Sequence, residues 1–240
     1  RVGEGAPGTS PGDRLRRMSV PHSDTVTIPA GSFLLGACPD DKFANDTELP
    51  RRRVEILDAF ELGVFPVTIA EWRAFDPGHD ENAPGDLPVV NVSIQDIEHY
   101  LSWLNSETSG RPWRLPGEEE WEYACRAGTG TIFSVGDELA VTEANFLFNE
   151  SIERVGPGER TPVGSYPANA WGLHDMHGNV SEWTTSMWKP DLHAETELIP
   201  DRYTIRGGAW DYLPRLLRCS WRDGLTKTTR RDNLGFRLAR

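Results

Sequence analysis

Residues 166–183 read Y-P-A-N-A-W-G-L-H-D-M-H-G-N-V-S-E-W, and this stretch decides the fold. Its first half is rich in Gly, Asn and Pro, which predicts a turn-rich loop rather than a regular element. Its second half places Asp175, Asn179 and Glu182 around a glycine. Calcium requires oxygen ligands, and glycine lets the backbone turn sharply between them. The spacing alone leaves two interpretations, a calcium site and a polar turn fixed by two tryptophans, and it favours the turn.

Six further motifs occur in the rest of the chain. They are V-T-I-P-A-G-S-F-L-L-G at 26–36, F-P-V-T-I-A-E-W at 65–72, P-V-V-N-V-S at 88–93, R-L-P-G-E-E-E-W-E-Y-A-C-R at 114–126, R-G-G-A-W at 206–210 and N-L-G-F-R-L-A at 233–239. In this order they make the chain resemble the formylglycine-generating enzyme (sulfatase-modifying factor) family over residues 25–240. The resemblance implies an α+β fold, the formylglycine-generating-enzyme-type variant of the C-type lectin fold, which is loop-rich with few short helices and strands.

Length, charge and hydropathy limit the classes of partner and the cellular locations that we expect. The chain has 240 residues, enough to bury a sizeable core as one domain. Its formal net charge of −12 argues against a nucleic-acid backbone or an anionic membrane as the main partner. No run of about 18 apolar residues is present, so we predict no membrane span. Because the chain begins with Arg1, we expect an upstream domain or segment, and we favour a cytoplasmic location over export after signal-peptide removal.

Residues 1–24 are rich in Gly, Pro, Ser and Arg and lack an apolar period. We therefore predict a linker or N-terminal arm there, followed by one domain over residues 25–240. Alternating apolar residues predict two short strands within 25–35 and further strand structure within 53–65. The second half of the chain shows no helical period, so we expect loops with short strands there.

Three capping signals predict helices in the first half. Thr68 and Ser93 are expected N-caps for helices that run through Phe75 and Ser106. A third helix is expected to begin after Pro116, because its first turn is acidic and proline suits that position.

The resemblance also identifies what this chain lacks. In the catalytic branch of the family, two cysteines near a G-G-S-Y-type motif bind Cu(I) through soft thiolates. The matching run here is residues 207–212, and Tyr212 stands where the first cysteine is expected. No second cysteine lies nearby, so we expect no copper, no formylglycine-generating activity and no catalytic residue of that type.

A structural calcium ion is the cofactor that the resemblance implies. It assigns four ligands: the side chains of Asp175 and Glu182 and the backbone carbonyls of Gly178 and Val180. A second family site would use Asn145 and the carbonyl of Phe146. The segment that follows departs from the family pattern, and Glu153 is its one candidate acid.

The three cysteines and two of the histidines allow other interpretations. Cys125 and Cys219 resemble a pair that forms a structural disulfide in catalytic members, and the alternative is two adjacent buried thiols. Cys38 lies in a polar segment and is expected to be unpaired. His174 and His177 have a spacing compatible with zinc, but with no cysteine near them in the sequence we interpret them as surface histidines.

We predict a ligand-binding surface in the C-terminal segment. Its residues are Trp210, Asp211, Tyr212, Leu213, Leu216, Trp221, Asp223 and Leu225. Aromatic and aliphatic side chains beside Arg and Asp are typical of a binding patch. They stand where relatives carry Asn, Asp or Ser, and the pattern resembles variable proteins of diversity-generating retroelements. A place in the core is an equal alternative for the two tryptophans. Exposure is expected for five of the others: Asp211, Tyr212, Leu213, Asp223 and Leu225.

Two functions are compatible with these observations. The favoured one is a non-catalytic module that binds a protein or other ligand through its C-terminal surface, on a calcium-stabilised scaffold and as a retroelement-diversified receptor. The alternative is an oxidoreductase of the formylglycine-generating and sulfoxide-synthase superfamily that works without the paired cysteines. Relatives that use non-haem iron carry a His-rich helical domain, whereas this chain has six His and no H-x-x-x-H-x-E run.

Overall fold

The structure is a computed structural model that describes residues 24–240. Its strands are β1 (Thr25–Ile28), β2 (Gly31–Leu35), β3 (Arg52–Ile56), β4 (Phe60–Gly63), β5 (Ser181–Met187), β6 (Arg202–Arg206), β7 (Arg222–Thr226) and β8 (Leu234–Gly235). Its α-helices are α1 (Ile69–Arg73), α2 (Ile94–Glu107) and α3 (Glu118–Arg126), and short 3-10 helices occupy Asp46–Glu48 and Pro214–Leu216. The prediction of a loop-rich α+β fold is confirmed. The predicted arm at residues 1–24 lies outside the described residues except for Asp24, and it stays a prediction.

The helices begin where the capping signals predict. Thr68 and Ser93 each accept a hydrogen bond from the third helical N–H, and the carboxylate at that third position accepts one from the cap's own N–H. These reciprocal bonds satisfy backbone groups that the first turn would otherwise leave without partners. Helix α1 is two residues shorter than predicted, and α2 is one residue longer. Local sequence therefore determines the starts of the helices better than their ends.

The strands form three sheets. Strand β1 pairs antiparallel with β4, and β2 pairs antiparallel with β3. The strand structure predicted within residues 53–65 is therefore two strands, interrupted at Leu57, which is 82% exposed. The third sheet has the order β7-β6-β5-β8, and β8 runs parallel to β5. Strand β5 follows directly on residues 166–180, which we call the signature loop, so the sheet fixes one end of that loop.

Large aromatic side chains fill the core. Trp72 stacks on Tyr100 of α2 with ring centroids 4.9 Å apart, and Phe236 packs edge-on against both rings. Trp183 of β5 belongs to the same cluster, whereas a second cluster surrounds Trp121 of α3. These two clusters hold α2 and α3 against the four-stranded sheet, and Leu173 and Met176 of the signature loop belong to the second cluster. Among the residues that the structure describes, no helix has the length and apolar character needed to cross a bilayer.

Candidate functional site

The signature loop is a rigid turn and not a flexible connection. Asp175, Gly178 and Asn179 have φ values of 58°, 82° and 61°, which lie in the left-handed region. A Cβ on Gly178 would lie 2.3 Å from the carbonyl oxygen of Asn145, so no larger residue fits there. The buried amide of Asn179 accepts from the N–H of Thr161 and donates to its carbonyl. The Asn179 side chain therefore fixes the signature loop to the backbone of Thr161.

Asp175 carries a buried carboxylate that is only half satisfied. Its Oδ2 accepts a hydrogen bond of 2.8 Å from the N–H of Gly164. Its Oδ1 is buried and has no hydrogen-bond partner among the described residues. Burial raises the pKa of Asp175 to about 6 and outweighs the Gly164 N–H and the charges of Arg237 and His174, which favour the ionised form. A buried polar atom without a partner is costly, so this oxygen marks a place where a cation would be stabilising.

Glu182 is the other acidic ligand that the resemblance assigned, and its charge is already compensated. Its Oε2 accepts from Nε of Arg237 and from the indole Nε1 of Trp121, and its Oε1 accepts from Nη2 of Arg237, all at 2.7 Å. Both members of this ion pair are completely buried. Each carboxylate oxygen can accept a second bond, so Oε1 retains capacity for one more partner.

The donor set fits a hard cation at Asp175 better than at Glu182. Asp175 offers a hard, unpartnered oxygen, whereas Glu182 has one lone-pair position left and a cation already beside it. Gly178 and Val180, whose carbonyls complete the predicted set, are buried on the same turn. Calcium at this loop therefore remains a proposal, and the Asp175 carboxylate is its strongest support.

The predicted second calcium site is assembled only in part. Asn145 is buried, and its side-chain oxygen has no hydrogen-bond partner among residues 24–240. Its Nδ2 donates to the backbone carbonyl of Glu159 at 2.9 Å. The exposed carboxylate of Glu153 accepts from the side chain of Asn149. The partners of the Asn145 amide among the described residues are Glu159, Thr161 and Asn179, so the structure shows no link between Asn145 and Glu153.

Cys125 and Cys219 are adjacent buried thiols, which is one of the two predicted alternatives, and the structure adds His177, which sequence reasoning missed. The thiols of Cys125 and Cys219 lie 3.6 Å apart, and Nε2 of His177 lies 3.9 Å from the thiol of Cys125. All three residues are buried, so the interpretation of His177 as a surface histidine is wrong, while His174 is half-buried. No sequence spacing reveals the cluster, because α3, the signature loop and residue 219 meet only in the folded chain.

The predicted ligand-binding surface divides into an accessible part and a buried part. Asp211 is exposed, and Trp210, Tyr212, Leu213, Leu216 and Asp223 are half-buried. Trp221 and Leu225 belong to the core at 6% and 7% exposure, so the expected exposure of Leu225 is wrong. Leu225 lies in β7 opposite Tyr203 of β6, and the sheet directs its side chain inward.

Hydrogen bonds fix the backbone beneath the accessible part. The N–H of Trp210 donates to the carbonyl of Asn179 at 3.0 Å, so this segment is hydrogen-bonded to the signature loop. Asn233 donates to both carboxylate oxygens of Asp211. Tyr212 packs edge-on against the buried Trp221 with ring centroids 5.6 Å apart. These contacts hold the segment in one conformation while leaving part of each side chain in solvent.

Tyr212 is the residue that the resemblance matches with the first active-site cysteine of the catalytic members. Burial raises the pKa of this phenol, which leaves it neutral at physiological pH. The chain has three cysteines, and the thiol nearest in sequence, Cys219, lies in the cluster with Cys125 and His177. A neutral phenol is a hard and weak ligand, which does not suit a soft copper(I) ion.

Three comparisons place the chain among known proteins. The profile of the Sulfatase-modifying factor enzyme 1-like domain matches residues 13–240. Hercynine oxygenase of Mycolicibacterium smegmatis is 30% identical over 90% of this chain and 60% of its own length. Formylglycine-generating enzyme of Bos taurus is 28% identical over 98% and 78%, and inactive Cα-formylglycine-generating enzyme 2 of Mus musculus is 34% identical over 89% and 84%. The chain thus spans less than two thirds of the length of that hercynine oxygenase.

Solved structures agree on the fold. PvdO from Pseudomonas aeruginosa superposes with a TM-score of 0.79 at 28% identity, over 91% of this chain and 94% of that one. Treponema denticola variable protein 1 superposes with a TM-score of 0.75 at 22% identity, over 90% and 94%, which shows a shared fold. The fold is the formylglycine-generating-enzyme-type variant of the C-type lectin fold. The profile match over nearly the whole chain and these relatives show that the chain belongs to the sulfatase-modifying factor enzyme 1-like family.

Proposed function

We propose that the chain is a non-catalytic binding module, and that its ligand is a protein or peptide. The binding surface is the accessible part of the C-terminal segment, which we call the 210–213 face: Trp210, Asp211, Tyr212 and Leu213, with Leu216 and Asp223 beside it. The observation that carries the proposal is the partial exposure of two aromatic rings and a leucine next to an acidic side chain on a fixed backbone.

The 210–213 face is preorganised for binding. Aromatic side chains supply large contact areas at low entropic cost, and they dominate the energetics of many interfaces. At the 210–213 face the backbone is already held, by Asn179 at Trp210 and by Asn233 at Asp211. Binding would therefore order few further groups, which favours affinity. A ligand with apolar and basic groups fits best, because Asp211 and Asp223 outnumber Arg231 around the Tyr212 ring and the chain has a net charge of −12.

The same arrangement suits a surface that varies between copies of the gene. Gly207 and Gly208 have φ values of 89° and 67°, and a Cβ on Gly208 would lie 2.4 Å from the carbonyl oxygen of Leu216. The fixed turn depends on these glycines and on buried neighbours, so outward side chains can change without altering the backbone. We propose on this basis that the face is diversified by a retroelement. A reverse-transcriptase gene and a near-copy of the 3′ coding segment beside this gene would support the proposal. Their absence would contradict diversification by a retroelement.

A selection experiment tests the binding function directly. The chain is immobilised, and peptides are selected from a displayed random library. We expect enrichment of peptides with basic and aromatic residues whose binding is lost in a variant with Trp210→Ala and Leu213→Ala. The matched control is Leu57→Ala, because Leu57 is 82% exposed and lies on a different part of the surface. Selected peptides that bind all three proteins equally would contradict the assignment of the face.

An oxidoreductase is the second candidate, and one observation favours it. Hercynine oxygenases are about as similar to the chain as the formylglycine-generating enzymes are, with 30% identity for the Mycolicibacterium smegmatis protein. The test is oxygen uptake by the purified chain with hercynine, a thiol and ferrous iron. We expect no uptake above that of the protein-free mixture. Uptake that depends on the chain would favour the oxidoreductase over the binding module.

A further inference from the structure

We propose that Cys125, His177 and Cys219 form a buried zinc site. Their ligand atoms all lie within 4.8 Å of one another, and all three side chains are buried. The site is separate from the 210–213 face. It would tie α3, the signature loop and the segment before β7 together at one point.

The distances match a metal centre. Zinc binds thiolates at about 2.3 Å, so two thiolates of a tetrahedral site lie about 3.8 Å apart. The two thiols here lie 3.6 Å apart, close to that value. A disulfide would bring the sulfurs to about 2.05 Å. The separation between His177 Nε2 and the thiol of Cys125, 3.9 Å, is close to the corresponding sulfur–nitrogen edge.

The protonation state of His177 is suited to metal binding. Its Nδ1 lies 2.7 Å from the carbonyl oxygen of Leu217, and a carbonyl can only accept. Its Nε2 lies 3.1 Å from the backbone nitrogen of Ser134, whose N–H can only donate. The ring is therefore the neutral tautomer with its proton on Nδ1 and its lone pair on Nε2. A histidine ligand whose other nitrogen donates to a backbone carbonyl is the usual arrangement at zinc sites.

Zinc would take the lone pair that the N–H of Ser134 now uses. Ser134 is half-buried in the short turn that Phe133 closes with Gly136, and its amide would have to turn away from Nε2 to admit the ion. The hydroxyl of Ser134 lies 2.9 Å from Nε2 and is the nearest group that could hold a water in the fourth position. Two cysteines, one histidine and a water make a tetrahedral set known for zinc.

The charge balance favours a divalent ion over an empty cluster of thiols. Zinc binds cysteines as thiolates, and two thiolates with a neutral imidazole cancel the charge of the ion. Arg126 and Arg206 lie near the thiols, but both already pair with Glu122. A neutral metal cluster is therefore compatible with the buried position of the three ligands.

The test starts with metal analysis of the whole chain, purified with a thiol reductant and without chelator. We expect one zinc ion per chain. Protein produced in cobalt-supplemented medium should then show thiolate-to-cobalt charge-transfer absorption and the strong visible bands of tetrahedral cobalt. The charge-transfer intensity should correspond to two thiolates. This measurement needs no variant, so it does not depend on whether a substituted chain folds.

Variants then assign the ligands. Cys125→Ser and Cys219→Ser should each halve the charge-transfer absorption or abolish metal binding, and His177→Asn should weaken binding at least tenfold. The matched control is Cys38→Ser, because Cys38 is half-buried outside the cluster and should leave the spectrum unchanged. Near-ultraviolet circular dichroism of the tryptophans checks that each variant is folded.

Three results would overturn the proposal. The first is a wild-type chain that binds neither zinc nor cobalt under reducing conditions. The second is a cobalt spectrum without thiolate charge transfer, or one that Cys38→Ser removes. The third is a disulfide between Cys125 and Cys219 in the reduced preparation, detected by mass spectrometry as the loss of two hydrogens. None of these results bears on peptide binding by the 210–213 face, so the two proposals fail independently.

Discussion

Arg237 donates two hydrogen bonds of 2.7 Å to the carboxylate of Glu182, and both side chains are completely buried. The pair joins the segment after β8 to the start of β5, and Nη2 of Arg237 also donates to the carbonyl of His174 in the signature loop. The Arg237 guanidinium therefore connects the four-stranded sheet to the signature loop.

Removing this guanidinium should be strongly destabilising. Arg237→Met leaves the buried Glu182 carboxylate without its counter-charge, and we expect a loss of about 3–5 kcal/mol in the free energy of unfolding. The measurement is urea denaturation followed by tryptophan fluorescence. The matched control is Arg230→Ala, which breaks the partly exposed pair with Asp96 and should cost at most about 1 kcal/mol. Equal losses in the two variants would contradict the structural role of Arg237.

Asp175→Asn should change how stability depends on pH. The pKa of Asp175 is about 6 in the folded chain and near 3.8 when unfolded. Because the folded value is raised, the protonated carboxyl stabilises the fold fully below about pH 4, and this contribution is lost as pH rises through 6. Two pKa units correspond to about 3 kcal/mol. The amide introduced by the substitution cannot ionise, so in EGTA the variant should gain up to about 3 kcal/mol relative to wild type between pH 4 and pH 8. A difference that stays constant with pH would contradict this.

Calcium should stabilise the wild-type chain through the same carboxylate. An ion at Asp175 would satisfy the unpartnered Oδ1 and favour the ionised form. We expect the melting temperature at neutral pH to rise with calcium relative to EGTA, and Asp175→Ala to lose most of that rise. Magnesium serves as the control ion, because it prefers a smaller octahedral site. A melting temperature that is the same in calcium and in EGTA for the wild-type chain would contradict the calcium proposal.

Alanine substitutions should separate the 210–213 face from the core. Leu213→Ala should change the free energy of unfolding by about 0.5 kcal/mol, as at other accessible positions. Leu225→Ala should lower the free energy of unfolding by about 2–4 kcal/mol, because the Leu225 side chain extends from β7 into the aromatic cluster of the core. Tyr212→Ala should lie between these values, since its ring packs on Trp221. Chemical denaturation measures all three, and a large loss for Leu213→Ala would place that residue in the core.

Formylglycine formation should be absent. A peptide with the C-x-P-x-R motif is incubated with the chain, copper(I), a thiol and oxygen, and formylglycine is measured by mass spectrometry. We expect no conversion, because Tyr212 and not a cysteine stands at the first thiol position. A catalytic formylglycine-generating enzyme, assayed in parallel, confirms that the peptide is competent. Formylglycine formation that depends on the chain would contradict this prediction.

The parts of the fold that could be predicted are those determined by neighbouring residues. A hydroxyl at the cap and an acid three residues later determine the starts of α1 and α2, and both lie within one turn of backbone. The family resemblance supplied the fold, because the glycines and tryptophans of the signature loop occur at fixed spacing. The turn at Leu57, which divides one predicted strand into two, depends on pairing with β1 and β2 and has no such local signal.

The parts that could not be predicted depend on contacts between distant segments. The sequence pattern predicts an exposed Leu225, but β7 pairs with β6, and this register turns Leu225 inward. The resemblance implied that Cys125 and Cys219 are adjacent, but the approach of His177, 52 and 42 positions away from them, has no signal in the sequence. Similarly, only the structure shows that the Glu182 carboxylate is paired with Arg237. In each case the decisive partner lies far away in the sequence.

The pairing of the last residues with β4 has a consequence for how the protein is made. The backbone of Arg240 exchanges hydrogen bonds with Glu61, and the carbonyl of Leu238 accepts from Gly63. Ala239 also pairs with Arg114 just ahead of α3. These contacts span most of the chain, so they form only after nearly all of it has left the ribosome. During translation the edge of β4 stays open for many seconds, and a chaperone that covers such edges would protect the nascent chain from misassembly.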